Sequence, residues 1–131
     1  MTTVKRILIV EDETIVALLI EDLVAELGHA VAGVVARLGE ALARADDHTF
    51  DLAILDVHLQ GENVFPFADR LLANGTPFLF ATGFGTRGIP ERFRGVPALQ
   101  KPFTPEDLAG ALARLAPPPK PPGSEGRLLQ G

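Results

Sequence analysis

The chain has 131 residues, 47% of them hydrophobic, no cysteine and a formal net charge of −5. That much apolar material suffices for one core without staples, and the lack of cysteine excludes a disulfide framework, a thiolate zinc site and a thiol nucleophile. The acidic balance argues against a nucleic-acid surface, which normally shows a basic face, and no run nears the roughly 20 apolar residues of a membrane span.

The chain opens with two basic residues, Lys5 and Arg6, followed by only four apolar residues before Glu11. A secretory leader needs a longer apolar stretch and a small-residue cleavage site. The expectation is a soluble, cytoplasmic protein.

Apolar runs then alternate with amphipathic segments, the pattern of a βα protein with a parallel sheet. The first strand is read at 6–10, where Ile7-Leu8-Ile9-Val10 closes on Glu11 and Asp12. A helix is expected at 13–27, with Ile15, Val16, Leu19, Leu23 and Leu27 on its buried face and Glu21, Asp22 and Glu26 turned away. Gly28 is its natural stop. A second strand at 30–35 and a second helix at 39–46 follow. The third strand, 52–56, is Leu52-Ala53-Ile54-Leu55 ending on Asp56. A third helix at 64–73 stops at Asn74-Gly75, and a fourth strand at 77–81 leads into Thr82.

The next segment breaks the alternation. Between 83 and 97 stand Gly83, Gly85, Gly88, Pro90, Gly95 and Pro97. Interior Gly and Pro cost a helix about 1 and 3 kcal/mol each, so the fourth helix is expected to be short, irregular or mobile, with one turn at 91–94. Gly83-Phe84-Gly85-Thr86-Arg87-Gly88 has the spacing of a dinucleotide loop, but no helix opens behind it and Ile89-Pro90 follows. Arg87, Arg92 and Arg94 form a local basic patch, read as a solvated loop. A weak fifth strand ends on Lys101-Pro102. The last helix opens at Thr104-Pro105 with Asp107 completing a capping box, and runs to about 115. A folded unit over 1–116 is followed by a Pro-rich stretch at 117–131, read as a stiff spacer or disordered.

In an open parallel sheet, ligands sit at the carboxyl ends of the strands. Four of these ends carry Glu11 and Asp12, Asp56, Thr82, and Lys101. Crowded carboxylates repel one another, and a hard divalent cation such as Mg²⁺ with oxygen ligands relieves that. Asp56 could then attack a phosphoryl donor to give an aspartyl phosphate, with Thr82, Lys101 and a backbone N–H near Gly83 neutralising phosphoryl oxygens. The three histidines, His29, His48 and His58, show no metal-ligand spacing.

At these residues the chain resembles the receiver domains of two-component response regulators, over about residues 4–116. Glu11-Asp12 match the acidic pair, Asp56 the phospho-acceptor, Thr82 the Ser/Thr position, and Lys101-Pro102-Phe103 the Lys-Pro-Phe of that family. Pro77-Phe78-Leu79-Phe80-Ala81-Thr82-Gly83-Phe84 is similar to the single-domain subgroup named for a Phe-Ala-Thr-Gly motif. The resemblance implies a flavodoxin-like, doubly wound five-stranded α/β fold with strand order 2-1-3-4-5. It implies Mg²⁺ held by Asp12, Asp56 and the His58 backbone carbonyl, with Glu11 acting through water. It also implies a sensor histidine kinase or His phosphotransfer protein as phosphoryl donor. The output would be protein binding or a phosphate sink, with slow aspartyl-phosphate hydrolysis rather than enzymatic turnover. Neither nucleic acid nor membrane is an expected partner.

One position departs from that pattern. Ala98 stands where the family carries the aromatic half of its switch, so the moving part is expected to be the Gly-rich segment after Thr82. Three other readings stand beside this one: a phosphorylation-independent interaction module, a receiver cut from a longer protein, and a flavin-binding protein of the same topology. Glu11-Asp12-Glu13 after the first strand would repel a flavin phosphate.

Overall fold

The computed structural model describes residues 4–84 and 86–115. Along the chain run β1 (Arg6–Val10), α1 (Thr14–Glu26), β2 (Ala30–Val35), α2 (Leu38–Ala43), β3 (Leu52–Asp56), β4 (His58–Leu59), β5 (Glu62–Asn63), α3 (Phe65–Asn74), β6 (Phe78–Thr82), β7 (Ala98–Gln100) and α4 (Pro105–Arg114). Five strands form one parallel sheet in the order β2-β1-β3-β6-β7. This is the expected 2-1-3-4-5 order, because β4 and β5 pair only with each other as a small antiparallel hairpin.

Strand alternation divides the core in two. Leu8, Val10, Leu55 and Phe80 face one side, under Phe67 and Leu71 of α3 and Ala41 of α2. Ile7, Ile9, Ile54 and Leu79 face the other, under Ile20 and Val24 of α1 and Leu108 and Ala111 of α4. With both sheet faces covered, β3 and β6 are buried along their whole length, which is why they read as unbroken hydrophobic runs.

Helix α1 corrects the sequence reading. Its sheet-facing residues are Ala17, Ile20 and Val24, while Ile15 and Leu19 are 73% and 57% exposed. Val16, Leu23 and Leu27 are half-buried against the α4 side, as expected of them. The first half of α1 is apolar almost all round, so periodicity alone could not choose the face. Smaller differences are a second helix that stops at Ala43 rather than 46 and an unforeseen β4–β5 hairpin. Thr82 is the last residue of β6 rather than the residue past it. The α3 stop is as read, Gly75 being left-handed at φ 74°, and the Thr104–Asp107 capping box is formed. The Pro-rich stretch lies outside the described residues. Among the described residues no helix is long and apolar enough to cross a membrane.

Among its described residues, the connection from β6 to β7 contains no α-helix, only a 3₁₀ turn at Glu91–Phe93. Its anchor is Phe93, 1% exposed. The ring stacks on Phe65 at 5.7 Å and meets Phe80 and Phe78 edge-on at 5.5 and 6.1 Å, geometries aromatic pairs favour. Arg92 ties the turn to α3 through two hydrogen bonds to Asp69, at 2.8 and 2.9 Å, and lies over the Phe93 ring. Phe93→Ala is expected to destabilise the protein by about 3–5 kcal/mol, as large-to-small changes at buried aromatics do. Arg92→Ala, at an exposed ion pair, should cost much less. Urea unfolding of the two variants checks the order, and equal losses would show that the ion pair rather than the ring holds this connection.

Candidate functional site

Register places the acids. Val10 pairs with Leu55, and Asp56 with Ala81, so Glu11, Asp56 and Ala81 stand level at the carboxyl edge of three adjacent strands. Thr82 pairs with Gln100, which puts Lys101 one step beyond on the outer strand. Lys101 is bound to that edge by its backbone N–H, which donates to the Thr82 carbonyl at 2.8 Å.

Glu11, Asp12 and Asp56 each bring a carboxylate oxygen within 4.8 Å of the others. Glu11 and Asp56 are buried, at 2% and 8% exposure, and Asp12 is half-buried. The Lys101 ammonium lies 2.9 Å from Glu11 Oε1 and 3.5 Å from Asp56 Oδ2. The second Glu11 oxygen accepts from the Glu13 backbone N–H at 3.2 Å. Asp12 accepts from the backbone N–H of Gln60 at 2.9 Å. Thus four of the six residues singled out from sequence, Glu11, Asp12, Asp56 and Lys101, form one contiguous group.

The other two border it. Thr82 is buried, and its hydroxyl accepts from the backbone N–H of Phe84 at 3.1 Å. His58 opens the hairpin just beyond Asp56 with its side chain exposed, its imidazole edge-on to Phe84 at 5.9 Å. Its backbone N–H helps to hold Asp56 ionised. The contribution of Gln60 was not read from sequence. It has φ 49° and Gly61 φ 86°, and this left-handed pair turns the hairpin back over Asp12. The Gln60-Gly61 dipeptide between Leu59 and Glu62 was the available clue.

The electrostatics are those of a site with too much negative charge for its burial. Burial raises the Glu11 carboxyl to a pKa of about 7 and the Asp56 charge adds to this, against the Lys101 hydrogen bond and the Glu13 N–H. Burial likewise raises Asp56, with Lys101 opposing. Burial acts against the Lys101 charge, but the Glu11 hydrogen bond and the Asp56 charge outweigh it, and its pKa is raised. One ammonium faces three carboxylates. The donor set is all oxygen, preorganised and short of positive charge, which fits a hard divalent cation. Asp12, Asp56 and Glu11 would hold it.

The family model described as "Response regulator receiver domain" matches residues 7–113. The "Transcriptional regulatory protein PdtaR" of Mycobacterium tuberculosis strain H37Rv is 30% identical over 112 residues, covering 82% of this chain and 55% of that protein. The chain thus spans about half the length of this curated relative. Among solved structures, SdrG from Sphingomonas melonis Fr1 superposes with a TM-score of 0.79 at 46% identity, covering 88% of this chain and 98% of that one. The BeF3-activated conformation of SdrG from Pseudomonas melonis Fr1 superposes with a TM-score of 0.74 at 45% identity, with the same coverage.

A raised carboxyl pKa means that, between the unfolded and folded values, the native state binds more protons than the unfolded one, so stability falls as pH rises. For Glu11 that window runs from 4.5 to about 7. In chelator-treated protein, Glu11→Gln is expected to flatten the loss of urea stability between these pH values. A slope as steep as that of the parent would place the proton elsewhere in the group.

Proposed function

The chain belongs to the response regulator receiver family, and we propose that it is a phosphoryl-accepting signalling protein in which Asp56 takes a phosphoryl group from a phosphohistidine. The observation that carries this is the convergence of Asp56, Asp12, Glu11 and Lys101 at the carboxyl edge of the sheet. In the transfer, an Asp56 carboxylate oxygen attacks phosphorus and the P–N bond to the donor imidazole breaks. The imidazole leaves with the bonding pair and is protonated. A bound Mg²⁺ would supply charge neutralisation to the phosphoryl oxygens and to the acids.

The chain's own residues do the rest. Asp12 and Glu11 shape the cation's seat, each pinned by a backbone N–H. Lys101 is placed to accept a phosphoryl oxygen as a new partner beside Asp56. The Thr82 hydroxyl carries a proton that it can donate toward the phosphoryl group while its oxygen still accepts from Phe84. Hydrolysis of the acyl phosphate by water would return Asp56 and inorganic phosphate, without turnover of another substrate.

The donor is a sensor histidine kinase or a His phosphotransfer protein. Ile15, Leu18 and Leu19 support this reading, being exposed apolar residues on the first turns of α1, close to Asp12 in sequence. Such a stripe at i, i+3 and i+4 suits a helical partner whose histidine must reach Asp56. The signal would pass on by protein binding or end as a phosphate sink, and the reading places the protein in the cytoplasm with its donor.

Beryllofluoride with Mg²⁺ is expected to shift amide NMR signals around Asp56, Thr82 and Lys101, and Asp56→Asn should abolish the change. Asp12→Asn should weaken Mg²⁺ binding by about tenfold or more, that is ~1.4 kcal/mol. No Mg²⁺-dependent change in the parent protein would sink the phospho-acceptor and leave the interaction module.

A further inference from the structure

At the end of the sheet away from Asp56 lies an open apolar groove of about 230 Å³. Its walls include Leu72 from α3, Thr76 and Pro77 before β6, Val96 and Pro97 before β7, and Leu115 just past α4. Among the described residues no charged side chain lines it, and Thr76 brings the only polar one. Leu72 on its rim is 50% exposed. The volume is below the roughly 300–1,000 Å³ of pockets that enclose cofactor-sized ligands, so it suits a few inserted side chains better than a small molecule.

We propose that this groove is the seat of the chain's own segment 116–119, Ala116-Pro117-Pro118-Pro119. Three observations select this occupant. First, the segment is continuous with the wall, since Leu115 both lines the groove and immediately precedes Ala116. No linker has to be closed, and the effective concentration of a segment so tethered is high. Second, the four residues are uncharged, as the groove is, and the first charge after them is Lys120. Third, proline has no backbone N–H to leave unsatisfied in an apolar trough. A polyproline stretch also gives up little conformational entropy on docking. At about 3.1 Å per residue in that conformation, the segment has the reach to cross the groove from Leu115.

Seating there has a structural consequence. Val96 and Pro97 form the base of the connection that carries Phe93, and the Val96 N–H donates to the Phe93 carbonyl at 2.9 Å. A tail lying on Val96 would cover that end of the connection. This inference does not depend on phosphorylation, and its test works in the unmodified protein.

Because the chain has no cysteine, Lys120→Cys gives a single position for a nitroxide label on the full-length protein. The label is expected to broaden the amide signals of Leu72, Thr76 and Val96 severalfold more than in the same labelled chain carrying Pro117→Ser, Pro118→Ser and Pro119→Ser. Those amides should also differ in chemical shift between the two unlabelled proteins. Equal broadening and unchanged shifts would mean that the tether alone brings the label near, and would overturn the proposal. Broadening centred on Ile15 to Leu19 instead would assign the tail to α1 and overturn it too. Broadening of isotope-labelled chains by nitroxide on unlabelled chains in a mixture would assign the groove to a second copy.

Discussion

The structure is organised around a repulsion. Three carboxylates meet at the dry end of a parallel sheet, and one ammonium answers them. The sheet cannot avoid this, because register makes Glu11 and Asp56 level on adjacent strands and Asp12 follows at once. Coulomb repulsion between unit charges a few ångströms apart is worth about 1 kcal/mol in water and several-fold more at a protein surface or interior. Burial is the larger cause of the raised pKa of both Glu11 and Asp56, and the neighbouring charges, Asp56 at Glu11 and Asp12 at Asp56, add to it. A site left in this condition is poised to gain from any added positive charge.

Lys101 is the hinge of that balance, and its backbone is as important as its ammonium. The side chain bridges Glu11 and Asp56, while the main chain hydrogen-bonds to the Thr82 carbonyl. Thr82 in turn holds the Phe84 N–H through its hydroxyl, and the Phe84 ring rests against His58 beside Asp56. The path from acid to lysine to threonine to Phe84 closes back on His58, the residue next but one to Asp56. With Ala98 in place of an aromatic, bulk on the far side of β6 comes from Phe93, packed against Phe80 and reached from the connection itself. The aromatic packing on Phe80 comes instead from the irregular segment and from α3.

How much of this was readable in the sequence depended on how one-sided each element's environment is. Strands buried on both faces stand out as apolar runs, and the polar residue at each end is conspicuous. The strands themselves and the grouping of Glu11, Asp12, Asp56 and Lys101 were legible for that reason, while the strand order rested on the resemblance to the receiver family. Helix α1 was not, because Ile15, Leu18 and Leu19 are as apolar as Ile20 and Val24, and an amphipathic pattern needs a polar face to define the other. That the β6–β7 connection would carry no regular helix followed from its glycines and prolines, but the role of Phe93 did not. A single aromatic in a polar run gives no period, and its partners Phe65, Phe78 and Phe80 are 13 to 28 residues away. The β4–β5 hairpin was hidden because two-residue strands carry no pattern, and only Gln60-Gly61 marked the turn.

The segment from Gly83 to Pro97 runs from the site to the opposite end of the sheet. It leaves the site at Thr82, passes Phe84 over His58, buries Phe93 under the sheet and finishes at Val96 and Pro97 on the wall of the basal groove. A helix in this position would be a rigid rod, cooperative along its length. Here the order is carried by separate points: a hydroxyl, a ring and a strand-end carbonyl, the last being Pro97, which accepts from the Phe80 N–H at 2.9 Å. Points can shift individually where a rod must shift whole. Between Thr82 and Phe93, glycines stand at 83, 85 and 88, and Gly88 has φ 82°. Beyond Phe93 the close-packed ring cluster resists gradual deformation, since packed cores rearrange in steps rather than continuously. In place of a helix, the connection sets glycines next to Thr82 and a close-packed ring cluster next to the core.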